Sequence, residues 1–387
     1  MFLRAVMERN QPLVRLGIEW QQKGVILPDT YLLDYDTIVD NARQIKEAGE
    51  ANGVENFFML KQIGRNPLIA RALTELGFGG AVCVDFREAL TMIAHGIPIG
   101  NVGHLVQVPR AALAKILAAK PRIVTVYSLE KAQEISTVCA GLGLRQKLML
   151  RVLGQQDMLY PGQYGGFGLD QLEAAVHAIE ALPNVEVGGV CSFPCFLYDE
   201  AAGDILPTPN LTTVQRAAQM LEALGYRDLM LNTPSATCVH SIPKIAKAGG
   251  THGEPGHGLT GTTPYHAAHP DAAERPGYLY VSEISHNLGA KSYCYGGGHY
   301  RRGHMQEALV GTGLEDAKLV PVTPPDDSSI DYHFELQQNC PVSAAAVMAF
   351  RTQFFVTRSR VAVVKGLSQG RPELAGLYSA VGDPVQE

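Results

Sequence analysis

A single lysine ends the apolar run Asn56-Phe-Phe-Met-Leu-Lys61, just before the loop formers Gln62-Ile-Gly-Arg-Asn-Pro67. A short apolar run reads as a strand buried on both faces, so a lysine at its carboxyl end emerges where a parallel sheet opens onto its ligand. An amine on a flexible stem, once deprotonated in a desolvated site, condenses with an aldehyde to give a Schiff base. Taken alone, Lys61 reads as a surface lysine that begins a loop, since lysines are seldom buried. A second chemical feature lies far downstream, in the glycine run Gly249-Gly-Thr-His-Gly-Glu-Pro-Gly-His-Gly-Leu-Thr-Gly-Thr-Thr-Pro264. Gly256, Gly258 and Gly261 form a GxGxxG there, but a dinucleotide site needs an apolar strand before it and a helix after it. Here the lead-in is glycine-rich and Thr262-Thr-Pro-Tyr-His is a poor helix. The other meaning of such glycines is backbone N–H groups that cradle an anion, as the loops after the last two strands of a barrel do. Thr233-Pro-Ser-Ala-Thr237, after the apolar Leu229-Met-Leu-Asn232, adds hydroxyls to that cradle.

For lysine and cradle to meet, the chain must supply a closed set of strands. Apolar runs recur near Phe58, Val82, Val102, Val124, Leu148, Val187, Met230 and, more weakly, Gly250. Between them, 66–76, 86–95, 109–118, 128–140, 169–182, 210–225 and 237–247 carry Ala, Leu and Glu with an apolar stripe and read as helices. Eight such units in succession are the count of a (β/α)8 barrel, and an open doubly wound sheet is the alternative with the same alternation. Longer gaps leave two loops for a site, Gly154 to Gly168 and Ser192 to Asn210. Residues 5–23 read as an amphipathic helix ending at Gly24, and Tyr31-Leu-Leu-Asp-Tyr-Asp36 as a strand running into a helix. After Pro264 the pattern changes to period two, in Tyr278-Leu-Tyr-Val-Ser-Glu-Ile-Ser, Lys291-Ser-Tyr-Cys-Tyr and Val361-Ala-Val-Val, which predicts an antiparallel β domain. The expected division is 1–27 as a helical extension, 28–264 as the barrel and 265–387 as the β-rich domain.

A closed barrel brings its first and last strands together, so the amine of Lys61 and the late cradle would meet. An aldehyde cofactor that carries a phosphate satisfies both, which is pyridoxal 5′-phosphate (PLP). The order of Tyr31-Leu-Leu-Asp-Tyr-Asp, Lys61, Pro67-Leu-Ile-Ala-Arg-Ala-Leu, Asp85-Phe-Arg-Glu-Ala-Leu, Asn232-Thr-Pro-Ser-Ala and Gly253-Glu-Pro-Gly resembles the fold type III PLP proteins. These are the alanine-racemase-like barrels, which include racemases and the basic amino-acid decarboxylases, and the resemblance runs over nearly the whole chain.

The resemblance implies that Lys61 is the Schiff-base lysine and that the backbone of Gly256 and His257, with Ser235 and Thr237, holds the phosphate. It places Glu254 opposite the pyridine nitrogen, where alanine racemase has arginine and the decarboxylases have glutamate within EPG, as here. A carboxylate there keeps the ring nitrogen protonated and the ring a deep electron sink, which permits racemisation, decarboxylation or aldol cleavage alike. Arg151 closes another strand and is a candidate for the phenolic oxygen, or an ordinary ion-pair residue at the barrel top. Asn232 closes the seventh. Where relatives place a histidine, this chain has Phe193. Racemisation needs a group on each face of the α-carbon. Relatives supply the second one from the β domain of a partner subunit, which points to Cys294, with Tyr293, Tyr295 and His299 behind it, and to a homodimer with shared sites. The plain reading of Cys294 is a small buried hydrophobe of a strand.

Other candidates have simpler accounts. His266 and His269 form HxxH without further ligands and read as a loop, and His299 and His304 around Arg301-Arg302 read as a solvated loop or a carboxylate site. Cys191 and Cys195 read as two buried thiols beside a site rather than a metal pair, so no metal is expected. The seven cysteines are odd in number and lack CxxC, which suits reduced thiols in a cytoplasm. A net charge of −6 with no basic cluster beyond Arg301-Arg302 argues against nucleic acid, and no run reaches membrane-spanning length. The expected ligand is a small amino acid or amine, and the expected activity an amino-acid racemase or epimerase. A PLP-dependent decarboxylase or lyase, and a PLP carrier without turnover, are the rivals.

Overall fold

The structure, a computed structural model, describes residues 2–386. The apolar runs of the barrel region form eight strands: Glu55–Asn56, Ala81–Cys83, Ile99–Val102, Ile123–Val126, Gln146–Leu153, Val185–Cys191, Met230–Asn232 and His252–Gly253. They pair in parallel in chain order. His252 and Gly253 then pair with Glu55 and Asn56, while Phe58 bridges Ala81 in parallel, so the first strand touches both the last and the second and the sheet closes. Helices alternate with the strands as expected, from Pro67–Glu75 to Ile242–Lys247. Their ends are set by local chemistry. Asp85 and Ser128 accept from the N–H of the residue three further on, and Gly143 ends Leu129–Leu142 in the left-handed conformation that glycine tolerates.

The antiparallel domain is a nine-stranded sheet. Six of its strands (Tyr278–Leu288, Lys291–Tyr295, His333–Leu336, Lys318–Thr323, Glu307–Gly311 and Ala345–Met348) close on themselves, because Tyr278–Leu288 pairs at one end with Lys291–Tyr295 and at the other with Ala345–Met348. A register shift between Ile284 and His286 bends that long strand. Its period-two pattern sorts the two faces. Leu279 and Val281 pack under Leu13, Leu16, Ile18 and Trp20, whereas Tyr278 and Tyr280 enter an aromatic cluster with Tyr31, Phe350 and Phe354.

The unit boundaries differ from the expected ones. Contacts divide the chain into Met1–Ala42, Lys61–Ile69 and Leu259–Glu387 on one side and Arg43–Leu60 with Ala70–Gly258 on the other. The first forty-odd residues are therefore part of the β unit and not an extension followed by barrel. The reason is pairing: Thr30–Asp34 runs antiparallel to Tyr278–Val281 and parallel to Arg360–Val364. The amphipathic segment is two helices, Leu3–Arg9 and Gln11–Gln22, with a proline at the start of the second. Both lie on the sheet, so closely that a Cβ on Gly17 would stand 3.3 Å from Val281.

One acid of this unit titrates abnormally. Burial pushes the Asp29 carboxyl up to about 6, although Tyr280 and Ser359 donate to it. A carboxyl raised in the folded state binds a proton there that the unfolded chain has released, so its contribution is present below about pH 4 and lost as pH rises through 6. Asp29→Asn is expected to remove that decline and to raise stability at neutral pH by about 2 kcal/mol, read from denaturant unfolding across pH 4–7.

Candidate active site

The carboxyl ends of the barrel strands bring together side chains from six of them. Glu254 follows the last strand directly and is 5% exposed. Its Oε1 accepts from Asn232 Nδ2 at 2.6 Å and from Asn101 Nδ2 at 3.4 Å, and Thr125 orients Asn101 by donating to its Oδ1 at 2.8 Å. The Glu254 N–H donates to Thr237 Oγ1 at 3.2 Å, which ties the turn after the eighth strand to the turn after the seventh. The two turns are in close contact, because a Cβ on Gly258 would lie 2.4 Å from the Thr237 carbonyl and one on Gly253 2.9 Å from the Thr237 methyl. Ser235, in the same turn, donates to the Phe196 carbonyl at 2.8 Å, and Gly256 and His257 sit half-buried in the facing one. Asn232 Oδ1 and Thr233 Oγ1 are buried without a hydrogen-bond partner among the described residues.

A second chain of contacts runs along the same end. Arg151 is fully buried and donates to Tyr127 Oη at 2.7 Å and to the Gln163 carbonyl at 2.8 Å. Tyr127 Oη donates in turn to the His104 carbonyl at 2.5 Å, and burial pushes this phenol up. The His104 ring, 0% exposed, lies with Nδ1 3.8 Å from Cys191 Sγ and Nε2 4.0 Å from Glu254 Oε2. Its ring stands edge-on to Phe193 at 5.7 Å, and Phe193 faces Tyr160 at the same distance. The two long loops are held down here: Asp157 accepts from Thr213, Ser192 and the Gly154 N–H, and Asn210 donates to Ser192.

Of the residues expected at the site, Arg151, Asn232, Ser235, Thr237, Glu254, Gly256 and His257 thus belong to the strand ends of one barrel. Asn101, His104 and Tyr127 belong there too and were missed, because none sits in a motif. The available signal is position: each lies at or just past the carboxyl end of an apolar run. Cys191 and Cys195 are buried thiols, the first pushed up to about 12 by burial, and no metal-binding cluster exists among the described residues.

Lys61 begins a short 3-10 turn, Lys61–Ile63, two residues after Met59, whose N–H donates to the Pro255 carbonyl at 3.0 Å. The segment that follows it is anchored in the β unit. Arg65 covers the Phe355 ring at 5.1 Å, and a Cβ on Gly64 would lie 3.1 Å from Val361. Asn66 caps the next helix by accepting from Leu68 and Ile69.

Cys294 has the setting of the plain reading, a small buried residue of a strand. It is 0% exposed in the single chain, and burial pushes its thiol up to about 12. Strand alternation explains this, since Ser292 and Cys294 share the core face while Tyr293 and Tyr295 point away from it. Cys294→Ala is therefore expected to lower stability by about 1–2 kcal/mol with little change in any turnover. Lost turnover at unchanged Tm would return the thiol to the chemistry. Two of the histidines singled out in the sequence have structural roles. His266 is buried against Glu274 at 3.0 Å and caps its own helix through Thr263, His269 stacks on Tyr265, and Arg301 and Arg302 are exposed. No helix among the described residues is long and apolar enough to cross a membrane.

Comparison with known proteins agrees with this geometry. The alanine racemase N-terminal domain family matches residues 33–264, and the YhfX-like C-terminal domain family matches 279–374. YhfX of Escherichia coli (strain K12), an uncharacterized protein, is 44% identical over 387 residues, 100% of both chains. Among solved structures, D-threonine aldolase from Filomicrobium marinum superposes with a TM-score of 0.68 at 14% identity, over 91% of this chain and 94% of that one. Alanine racemase of Clostridium difficile 630 gives 0.63 at 14% identity, over 92% and 99%. The chain belongs to the alanine racemase-like family of fold type III PLP-dependent proteins.

Proposed function

We propose that this chain binds PLP at the carboxyl end of its barrel and racemises or epimerises a small amino acid. The observation that carries the reading is Glu254, a carboxylate 5% exposed whose Oε1 is held by the neutral amides of Asn232 and Asn101. A buried carboxylate is stabilised by a cationic donor, which a protonated ring nitrogen supplies. The surrounding groups fit the cofactor. Asn232 Oδ1 and Thr233 Oγ1 have hydrogen-bonding capacity left over, and the paired turns offer the backbone N–H groups of Gly256 and His257 with the hydroxyls of Ser235 and Thr237 to a phosphate. Arg151 completes the polar set, and Lys61 would carry the aldehyde carbon.

When bound, PLP acts as an electron sink that acidifies the Cα–H of an amino acid attached to it. The protein's part is to hold Glu254 ionised, to exclude water with Phe193 and the pinned loops, and to move the Cα proton through Lys61 on one face. A second group on the other face would come from the strand Lys291–Tyr295 of a second copy, where Tyr295 is 39% exposed.

The test is Cα–H exchange. PLP-loaded protein incubated with L- and D-amino acids in D2O should incorporate deuterium and lose optical purity without losing carbon. Release of CO2 or an aldehyde would move the reaction to a decarboxylase or lyase, the latter in keeping with the likeness to D-threonine aldolase. Bound PLP with no exchange on any amino acid would leave a carrier, and a protein that takes no PLP would sink the cofactor assignment.

A further inference from the structure

His104 is given no role by the function proposed above, yet it touches Tyr127, Cys191, Phe193 and Glu254. It follows the third barrel strand, Ile99–Val102, by two residues, and its ring is completely buried. One ring nitrogen faces Cys191 Sγ at 3.8 Å and the other faces Glu254 Oε2 at 4.0 Å. Its main chain is fixed as well, since Tyr127 Oη donates to its carbonyl and Arg151 donates to Tyr127.

We infer that His104 is a positioning residue for Glu254: the Cys191 thiol donates to Nδ1, which leaves the proton on Nε2, and Nε2–H donates to the second oxygen of Glu254. The inference rests on the proposed PLP site and deepens it. The direction of the relay follows from hydrogen-bond chemistry. A buried thiol that keeps its proton can donate to the imidazole nitrogen beside it, and a neutral imidazole that accepts there carries its proton on the other nitrogen. Cys191 does keep its proton, because it lies fully buried between strands. Glu254 Oε1 accepts from two amides, and a donor at Oε2 adds to the set that favours the ionised carboxyl. At 4.0 Å the Nε2 contact is longer than a hydrogen bond, and a movement of about 1 Å closes it. Tyr127 reaches the His104 main chain, and Arg151 reaches Tyr127.

The consequence is specific to tautomer and donor, which separates it from simple packing. His104→Gln retains an N–H near Glu254, whereas His104→Leu retains only volume. In loaded full-length protein, the ring-nitrogen ionisation read from the absorbance of bound cofactor between pH 5.5 and 9 should fall by about one unit in His104→Leu, with PLP bound about tenfold more weakly. Both should stay near wild type in His104→Gln. Leu and Gln variants that behave alike, or that both match wild type, would overturn the inference.

A measurement on unmodified protein covers the case in which a variant does not fold. In 15N-histidine spectra of the wild type without cofactor, His104 should appear as the neutral Nε2–H tautomer and should change tautomer population in Cys191→Ala. An Nδ1–H form, an imidazolium at pH 7–8, or no response to Cys191→Ala would overturn it. Because this second measurement needs no PLP, a protein that fails to take the cofactor defeats the proposed function while the tautomer of His104 is still decided.

Discussion

Lys61→Ala should leave a folded chain in which borohydride fixes no pyridoxyl group at position 61 and any Cα exchange falls by roughly 10³-fold or more. The size of the effect follows from the two tasks assigned to one amine, holding the aldehyde and moving a proton. Lys61→Arg separates charge from chemistry. Arginine restores the cation on a long stem but cannot be deprotonated, so it should rescue neither label nor exchange. The substitution is not expected to unfold the protein. Lys61 is half-buried at the start of a turn whose anchoring falls to Ile63, Gly64, Arg65 and Asn66. If the site is shared between copies, Lys61→Ala mixed with Tyr295→Phe should recover part of the exchange through hybrid dimers, each with one intact site. A mixture shown to exchange subunits that recovers none would count against Tyr295 as the second group. A label that appears on another lysine would remove Lys61 from the chemistry.

The barrel is legible in the sequence because several of its strands are short runs buried on both faces, and such runs stand out against the helices between them. Even the two-residue strand His252–Gly253 is marked by the glycines around it. What local sequence does not carry is the partner of a strand. Thr-Tyr-Leu-Leu-Asp at 30–34 is buried at every position, as a barrel strand would be, yet its neighbours are Tyr280 and Val361, hundreds of residues away in the chain. By its pairing this strand belongs with the β unit, although the matched family model begins at residue 33. Cys294 shows the complementary limit. Period two places Ser292 and Cys294 on one face and Tyr293 and Tyr295 on the other, but which face is covered depends on strands that arrive later in the chain. The site divides along the same line. Glu254, Asn232 and the turn residues sit in short motifs that have a chemical reading. His104 sits in Gly-His-Leu-Val, which has none, and gains meaning only when Cys191 and Glu254 converge on its ring.

Glu254→Gln should produce two effects of opposite sign, and the pair tests the site more sharply than loss of turnover alone. Without cofactor, the wild-type chain buries an acid among amides, a histidine and a backbone turn. Glutamine has nearly the same volume and carries no charge to desolvate, so the empty protein should become more stable by about 1 kcal/mol. With cofactor the order reverses. The amide cannot hold a proton on the ring nitrogen, so affinity for PLP should weaken about tenfold. The stabilisation that saturating PLP confers on the wild type should then shrink by about 1.4 kcal/mol at fixed ligand concentration. Cα exchange should drop by about 10²–10³-fold, the scale of losing one preorganised charge from a buried site. Thermal unfolding with and without PLP measures the first two effects, and exchange in D2O the third. A residue with only a packing role would lower stability in both states and leave the ligand-induced shift unchanged. A Glu254→Gln protein that is less stable when empty and gains as much from PLP as the wild type would therefore remove Glu254 from the ring nitrogen. The opposite signs would tie the burial of this carboxylate to the ring nitrogen of the cofactor.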